Sequence, residues 1–457
     1  LDPADPRPVH FVGVAGAGMS ALAELLARRG ARVTGGDAAV AGAAELARYG
    51  VELFDRHDPA HVEGARALVV TSAMPKDHPE LARARALGVP VIRRAEALGE
   101  ATGGATLVGI AGTHGKTTTT VMTTDALAAA GLAPTGVAGG RVALWGGNLS
   151  FGSDRLFVVE ADEYDRSFLA LTPTVAVVTN VEADHLDIYA DLADIRATFE
   201  RFIAPARYVV LCADDEGANT LATPSASEVI RYGVASPDAR LVGTVRPGVD
   251  GGSQVKIAYD GEALGTIQLR VPGLHNVRNA LAAVASGIAL GASLDQMRDG
   301  VEKFGGVERR FQRLGIARGV LVVDDYAHHP TEIEATLAAA RSAYPSRRIV
   351  IAFQPHLYSR TRDFAAAFGR ALAAADAVFL TEIYPAREQP LPGVSASLIE
   401  RELVAASGGA PAWRGERPAL AAALADFVLP NDVVLTVGAG DITKTGPELL
   451  GRLGAAR

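Results

Sequence analysis

The segment Val108–Thr120, VGIAGTHGKTTTT, carries the residue types that bind a nucleoside triphosphate. An apolar run ends in a small glycine-bearing turn, whose backbone N–H groups are left unobstructed, and a lysine and threonines then open a helical pattern. The N-terminus of such a helix adds partial positive charge. Lys116 can reach the outer phosphates, and the Thr117 hydroxyl can join the shell of a magnesium ion. The general phosphate-loop pattern asks for glycine five positions before Gly115, where this chain has Ile110; its glycines are Gly109 and Gly112.

Two acidic segments follow further apolar runs. They are Val159–Asp165, VEADEYD, and Asn180–Asp187, NVEADHLD. A hard cation takes carboxylates, hydroxyls, phosphate oxygens and water, so Glu160 and His185 are the first polar candidates as metal ligands. The other acids of these loops read as solvated charge. Pro272–Asn279, PGLHNVRN, opens a helix with Asn276 and Asn279 three apart on one face. Their amides suit the N6/N7 edge of adenine and His275 offers a ring for stacking, although capping by Asn276 is an equal reading. Glu308–Phe311, ERRF, places an arginine where it could close over a γ-phosphate. Asp324–Glu332, DDYAHHPTE, and Gln354–Arg362, QPHLYSRTR, are two adjacent strand-end loops too rich in His and Arg for core material, and they read as an anion and amine pocket.

Near the start, Gly13–Gly18, GVAGAG, lies between a strand and a helix, where a diphosphate could rest on the helix N-terminus. Asp37 follows the second strand, the usual place for a carboxylate that reads ribose hydroxyls. Ala15 replaces the second glycine of the dinucleotide fingerprint. Two nucleotide-type loops in separate units suggest two different nucleotides.

These loops need parallel sheets to present them. At 457 residues the chain exceeds one core. Strands alternate with helices in three α/β units: strands at 9–14 and 32–34 with a helix near 20–29; the phosphate-loop unit with strands near 156–159 and 175–179; and a third from about residue 311 with strands at 320–323, 348–353, 377–380 and 433–437 and helices from 330 and 363. Residues 101–106 read as a small uncharged linker, 228–272 as turn- and β-rich, and a helix starts near 276. No short-period repeat is visible. Apolar residues make up 49%, and no run of eighteen or more apolar residues could span a membrane. The net charge of −8 argues against a nucleic-acid footprint. One cysteine, Cys212, excludes an internal disulfide framework and a cysteine-based zinc site. Residues 1–8 show no basic-then-apolar secretory pattern, which predicts a cytoplasmic protein. Five lysines stand against 39 arginines.

In order along the chain, GVAGAGMS, AGTHGKTTT, EADEYDRSF, TNVEADHLD, GLHNVRNA, ERRF, DDYAHHPTEI and FQPHLYSRTRDF resemble the Mur ligases of peptidoglycan synthesis, in the branch that acts on the muramate sugar nucleotide. The resemblance covers nearly the full length. It implies a three-domain α/β architecture: a Rossmann-like UDP-substrate domain at 1–102, a central P-loop ATPase-type domain holding ATP and magnesium (manganese as a substitute) at 103–308, and a Rossmann-like amino-acid domain at 309–457. It implies ATP-dependent attachment of L-alanine to the lactyl carboxylate of UDP-N-acetylmuramate through an acyl phosphate, by a monomer or homodimer with no nucleic-acid or membrane partner. The alternative within the branch is a recycling ligase that adds a murein tripeptide. A nicotinamide oxidoreductase would leave the phosphate loop idle, and a non-catalytic nucleotide binder is disfavoured because no essential group is missing.

By residue, the resemblance assigns ATP to Gly112, Thr113, His114, Gly115, Lys116, Thr117, Thr118, His275, Asn276, Asn279 and Arg310, and the metal to Thr117, Glu160 and His185. It assigns the UDP-substrate to Gly16, Ala17, Gly18, Met19, Ser20, Asp37, Ser72, Asn180 and Tyr326, and the amino acid to Tyr326, His328 and Arg360. Catalysis falls to Lys116, His328, His356 and Arg360, with either histidine as a base for the amine. Leu357 stands where the family often has an arginine. No lysine occurs between Lys116 and Lys256, so a carbamoylated lysine of the kind some sister ligases use has no counterpart.

Overall fold

The computed structural model describes residues 1–455 except Ser72, Ala73, Asp187 and Arg387, and the backbone alone of Asp250. Ser72, expected at the UDP-substrate, therefore lies outside the described residues.

The first sheet contains five parallel strands: β1 (Val9–Val12), β2 (Val33–Gly36), β3 (Glu52–Phe54), β4 (Ala67–Val70) and β5 (Val91–Arg93), in the order β3-β2-β1-β4-β5. The helices α1 (Ala17–Arg28), α2 (Pro79–Leu87) and α3 (Arg94–Thr102) belong to it. β1, β2 and β4 are buried along their whole length, as expected of central strands in a parallel sheet. The helix α3 runs to Thr102, so the expected linker shortens to three residues before the next strand.

The second sheet has ten strands: β6 (Thr106–Ala111), β7 (Thr135–Val142), β8 (Gly147–Ser150), β9 (Leu156–Glu160), β10 (Val175–Val178), β11 (Tyr208–Cys212), β12 (Glu228–Gly233), β13 (Leu241–Pro247), β14 (Ser253–Tyr259) and β15 (Glu262–Leu269). With it go α4 (Lys116–Ala129), α5 (Leu192–Ile203), α6 (Glu216–Asn219), α7 (Leu274–Ala289) and α8 (Leu294–Lys303). The order β10-β6-β9 decides the chemistry, because the phosphate-loop strand lies between the strands that deliver the two acidic loops. All three are parallel, with Ile110 opposite Glu160 and Ala111 opposite Val178. Their loops therefore leave the sheet at the same edge, where ligands of such sheets bind.

The third sheet is β16 (Gln312–Ala317), β17 (Val320–Asp325), β18 (Ile349–Phe353), β19 (Ala377–Thr381), β20 (Trp413–Gly415) and β21 (Val433–Val437), ordered β16-β17-β21-β18-β19-β20, with β16 antiparallel. Its helices are α9 (Pro330–Ala343), α10 (Tyr358–Leu372), α11 (Ser397–Ser407), α12 (Arg417–Phe427) and α13 (Thr445–Ala455). One face packs Val323, Ile351, Phe353 and Leu435 under α9, α10 and α11; the other packs Val322, Val350, Phe379 and Val434 under α12 and α13. The helix expected from residue 363 starts five residues earlier, at Tyr358. This puts Arg360 in its first turn. One compact unit takes in Leu1–Val245, Val255–Ile267 and Arg278–Phe304; the second takes in Arg246–Gln254, Gln268–Val277 and Gly305–Arg457, and so holds the third sheet.

Candidate active site

The phosphate loop is shaped by two glycines with left-handed backbones, Gly112 (φ 136°) and Gly115 (φ 81°). It is tied to the end of β10. The Asn180 side chain accepts from the His114 N–H at 2.7 Å and donates to the His114 carbonyl at 3.1 Å. The Thr179 hydroxyl donates to that carbonyl at 2.6 Å, and the Thr113 hydroxyl accepts from the Glu182 N–H at 2.9 Å. Asn180, expected at the UDP-substrate, thus has its amide engaged in fixing the nucleotide loop. Thr179 was not singled out in the sequence, since one threonine after an apolar strand carries no distinguishing signal.

Lys116 opens α4, and its Nζ donates to the Gly112 carbonyl at 2.7 Å and to both Glu163 carboxylate oxygens at 2.9 and 2.7 Å. Glu163 corrects the reading of this loop's remaining acids as solvated charge, because it is 3% exposed. Positive φ angles at Asp165 and Arg166 turn the chain after β9 back on itself. The Tyr189 hydroxyl donates to the Glu163 carbonyl at 2.6 Å and holds it there. Burial pushes the Glu163 carboxyl up to about 7 against the pull of Lys116. Burial also opposes the charge on Lys116, but Glu163, Asp162 and Glu160 outweigh it and raise the amine above its ordinary range. Asp184, likewise read as solvated, is 6% exposed and its carboxylate accepts from the His185 N–H at 2.8 Å.

The expected metal residues lie around this pair. Thr117 is buried in the first turn of α4. Glu160 ends β9 and accepts from the Gly139 N–H at 2.6 Å, and a side chain on Gly139 would reach within 2.6 Å of the other Glu160 oxygen. His185 adopts a left-handed backbone (φ 53°), with Nε2 3.8 Å from Glu163 and its ring edge-on to Tyr164. Hydroxyl, carboxylate and imidazole at one sheet edge, beside a phosphate loop, form a donor set that fits a divalent cation shared with phosphate oxygens. Glu160→Ala and His185→Ala should each raise the magnesium concentration for half-maximal activity by roughly tenfold or more, with excess metal restoring part of the rate. Magnesium titrations that overlay the parent's for both variants would remove these residues from the metal shell.

Of the residues expected at adenine, Asn279 accepts through its amide oxygen from the Thr119 hydroxyl at 3.2 Å, and a side chain on Gly115 would meet it at 2.7 Å. The Asn276 amide donates to the Pro272 carbonyl at 2.7 Å. The same helix, α7, carries His275. At the first glycine turn, the Met19 and Ser20 N–H groups bond back to Gly16 and the Ser20 hydroxyl bonds to the Ala17 carbonyl. Met19 is core, 1% exposed. Asp37 accepts from the Ala15 and Ala39 N–H groups at 3.0 and 2.8 Å, so it shapes the turn. The Arg94 guanidinium lies so close over Gly18 that a side chain there would come within 2.8 Å of it. That cation at the turn was not read from the sequence, because it comes from the start of α3, more than seventy residues away.

In the third sheet the loops after β17 and β18 are not adjacent, contrary to the expectation from strand succession. β21 lies between them and delivers the turn at Gly438 and Gly440, whose carbonyls accept from Arg309 at 2.7 and 3.2 Å. The loops still converge. The Tyr326 ring has the Arg309 and Arg310 guanidinium groups over it at 4.6 and 5.2 Å. Ring centroids run 5.3 Å from Tyr326 to His328, 6.0 Å on to His356 and 5.8 Å on to Tyr384. His328 Nδ1 is 3.0 Å from the Tyr326 carbonyl and 3.4 Å from Glu332. Arg310 also lies 3.4 Å from Glu332. Asp325 anchors the row by accepting from the Phe311 and Ala327 N–H groups at 2.8 and 2.7 Å, and burial lifts its carboxyl to about 6. Leu357 caps α10 with φ 72°, and Arg360 beyond it is 7% exposed.

A glycine-shaped loop flanked by acidic strand ends thus lies on a chain with a separate imidazole- and arginine-rich sheet edge. Models of the Mur ligase family catalytic domain, the Mur ligase middle domain and the Mur ligase glutamate ligase domain match residues 8–105, 110–287 and 309–440. The chain belongs to the Mur ligase family. Within it, the chain is 43% identical over 444 residues to the UDP-N-acetylmuramate–L-alanine ligase of Salinibacter ruber, covering 96% of this chain and 93% of that one. It is 45% identical over 453 residues to the enzyme of the same name from Acidothermus cellulolyticus, covering 97% and 94%. The crystal structure of UDP-N-acetylmuramate-alanine ligase from Thermotoga maritima superposes with a TM-score of 0.81 at 30% identity, covering 99% and 100%. A murein peptide ligase from Psychrobacter arcticus shares the fold, with a TM-score of 0.71 at 24% identity over 99% of each chain.

Proposed function

We propose that this chain uses ATP to join L-alanine to the lactyl carboxylate of UDP-N-acetylmuramate, a step in cytoplasmic peptidoglycan precursor synthesis. The observation that carries the reading is the order β10-β6-β9, which sets a triphosphate loop between two carboxylate-bearing loops, on a chain 43–45% identical to L-alanine ligases over 96–97% of its length. A carboxylate is a poor electrophile and an ammonium no nucleophile, so the reaction divides in two. Transfer of the γ-phosphoryl group makes the carboxylate an acyl phosphate; the neutral amine then attacks and phosphate leaves. Magnesium held by Thr117, Glu160 and His185 would offset the phosphate charge. Lys116 exchanges the Glu163 carboxylate for phosphate oxygens, and His328 or His356 takes the ammonium proton.

The test varies the acceptor while UDP-N-acetylmuramate, ATP and magnesium are held constant. Phosphate release with free L-alanine supports the reading, and release only with murein tripeptide selects the recycling reaction. Arg360→Ala should raise the Michaelis constant for alanine at least tenfold and leave that for ATP within about twofold, because a lost charge–carboxylate bond is worth roughly 1.5–3 kcal/mol. One methyl group gives about 1–3 kcal/mol, so discrimination against glycine should be modest. The described residues contain no helix long and apolar enough to cross a membrane.

A further inference from the structure

Four of the ten histidines gather around one buried carboxylate in the first sheet's layer. Glu80, in the first turn of α2, is fully buried, and its side chain is within 4.0 Å of His10, His57, His61 and His78. No lysine or arginine pairs with it among the described residues. One oxygen, Oε1, accepts from the Asp58 N–H at 3.0 Å and faces His61 Nδ1 at 3.4 Å and His10 Nε2 at 3.6 Å. The other, Oε2, faces His57 Nδ1 at 3.3 Å and His78 Nδ1 at 4.0 Å.

The inner three groups have the features of a coordination site. His10 is fully buried on β1, and its Nδ1 is 2.8 Å from the Thr34 hydroxyl, which leaves Nε2 as the free end aimed at Glu80. His10 Nε2 and His61 Nδ1 are both buried with no hydrogen-bond partner. Burying such nitrogens without a partner is costly, so a partner is to be sought. The ligand atoms of His10, His61 and Glu80 all lie within 4.8 Å of one another. A tetrahedral ion with bonds of about 2.0–2.1 Å holds its ligands about 3.4 Å apart, close to the two contacts with Glu80. The second ring nitrogen of a metal-bound histidine characteristically meets a polar partner, the place Thr34 takes here. His61 is fixed by stacking on Phe54, with centroids 3.8 Å apart at 11°.

We propose that His10, His61 and Glu80 form a binding site for one zinc-class divalent ion, with water as the fourth ligand. Two imidazoles and a carboxylate are a borderline donor set that prefers zinc to magnesium. The ion would clamp β1, the 3-10 turn at Pro59–Val62 and α2 together, and so stabilise the first sheet.

The test is a zinc titration of the full chain after chelator treatment, with a chromophoric competitor and with magnesium and ATP in excess to fill the nucleotide site. The parent should bind one more zinc equivalent than His61→Asn, or bind it at least tenfold more tightly, while His78→Asn behaves as the parent. Equal stoichiometry and affinity in the parent and His61→Asn would overturn the site, as would a loss that follows His78 instead. Should His61→Asn fail to fold, zinc-edge absorption on the parent decides: two imidazoles per ion are expected, and fewer than two refutes the assignment.

Discussion

Lys116→Ala will abolish ligation while the chain still folds. The amine sits at the N-terminus of α4, within 2.7 Å of the loop carbonyl of Gly112, as a point charge where phosphates must lie. Removing one positioned charge from a transition state costs on the order of 3–4 kcal/mol, a fall of about a hundredfold to a thousandfold in rate. Stability needs a separate control, because the substitution leaves Glu163 buried without its cation. Breaking such a pair can cost about 3–5 kcal/mol. Burial already lifts the Glu163 carboxyl to about 7, however, and without Lys116 it rises further and takes up a proton at neutral pH, which limits the loss. The double variant Lys116→Ala/Glu163→Gln should therefore unfold closer to the parent temperature and remain inactive. Phosphate release and thermal unfolding, measured together, check both halves; turnover near that of the parent by a folded variant would sink the phosphate-loop assignment.

Gly112→Ala should be the most damaging of the small substitutions in that loop. Its backbone (φ 136°) lies in a region that side chains avoid, and an added Cβ would fall 2.0 Å from the Thr179 hydroxyl and 3.0 Å from the Thr179 N–H nitrogen. The hydroxyl can rotate away but the backbone cannot; the hydroxyl donates to the His114 carbonyl and the N–H to the Ala111 carbonyl, at 3.0 Å. Strain and overpacking together are worth roughly 2–4 kcal/mol. The expected result is a lower unfolding temperature and an ATP Michaelis constant raised at least tenfold. Gly115→Ala meets the Asn279 amide at 2.7 Å on a left-handed backbone (φ 81°), so it should strain the loop and displace Asn279 without touching Thr179. Adding Thr179→Ala to Gly112→Ala should return part of the stability; no recovery would mean that the clash is not what destabilises the loop.

The parts of this site that could be read from sequence are those where a continuous apolar run ends in a glycine or an acid. Such a run becomes a central parallel strand, and its end becomes a ligand edge. That holds for β6, β9 and β10, and the two acidic loops do flank the phosphate loop. What escaped is set by backbone that leaves no mark in residue type. Glu163 differs from a solvated loop acid only because the chain turns back at Asp165 and Arg166. Asn180 looks like a substrate ligand until its amide is found on His114. Arg94 reaches Gly18 from a helix far along the chain, and β21, last in sequence, inserts between β17 and β18. The strand pattern predicts three α/β units, but sheet order follows from chain crossings that local patterning does not encode.

The scarcity of lysine gives the Lys116–Glu163 pair a practical consequence. Of the five lysines only Lys116 is shielded; Lys76, Lys256, Lys303 and Lys444 are exposed. Acylating reagents attack the unprotonated amine. Lys116, held protonated by three carboxylates and bonded to one of them, should be modified last, with the other four as internal standards on the same molecule. Glu163→Gln should hasten its modification, and bound ATP should slow it again. The chain thus contains its own occupancy reporter, readable by peptide mass spectrometry without a labelled nucleotide.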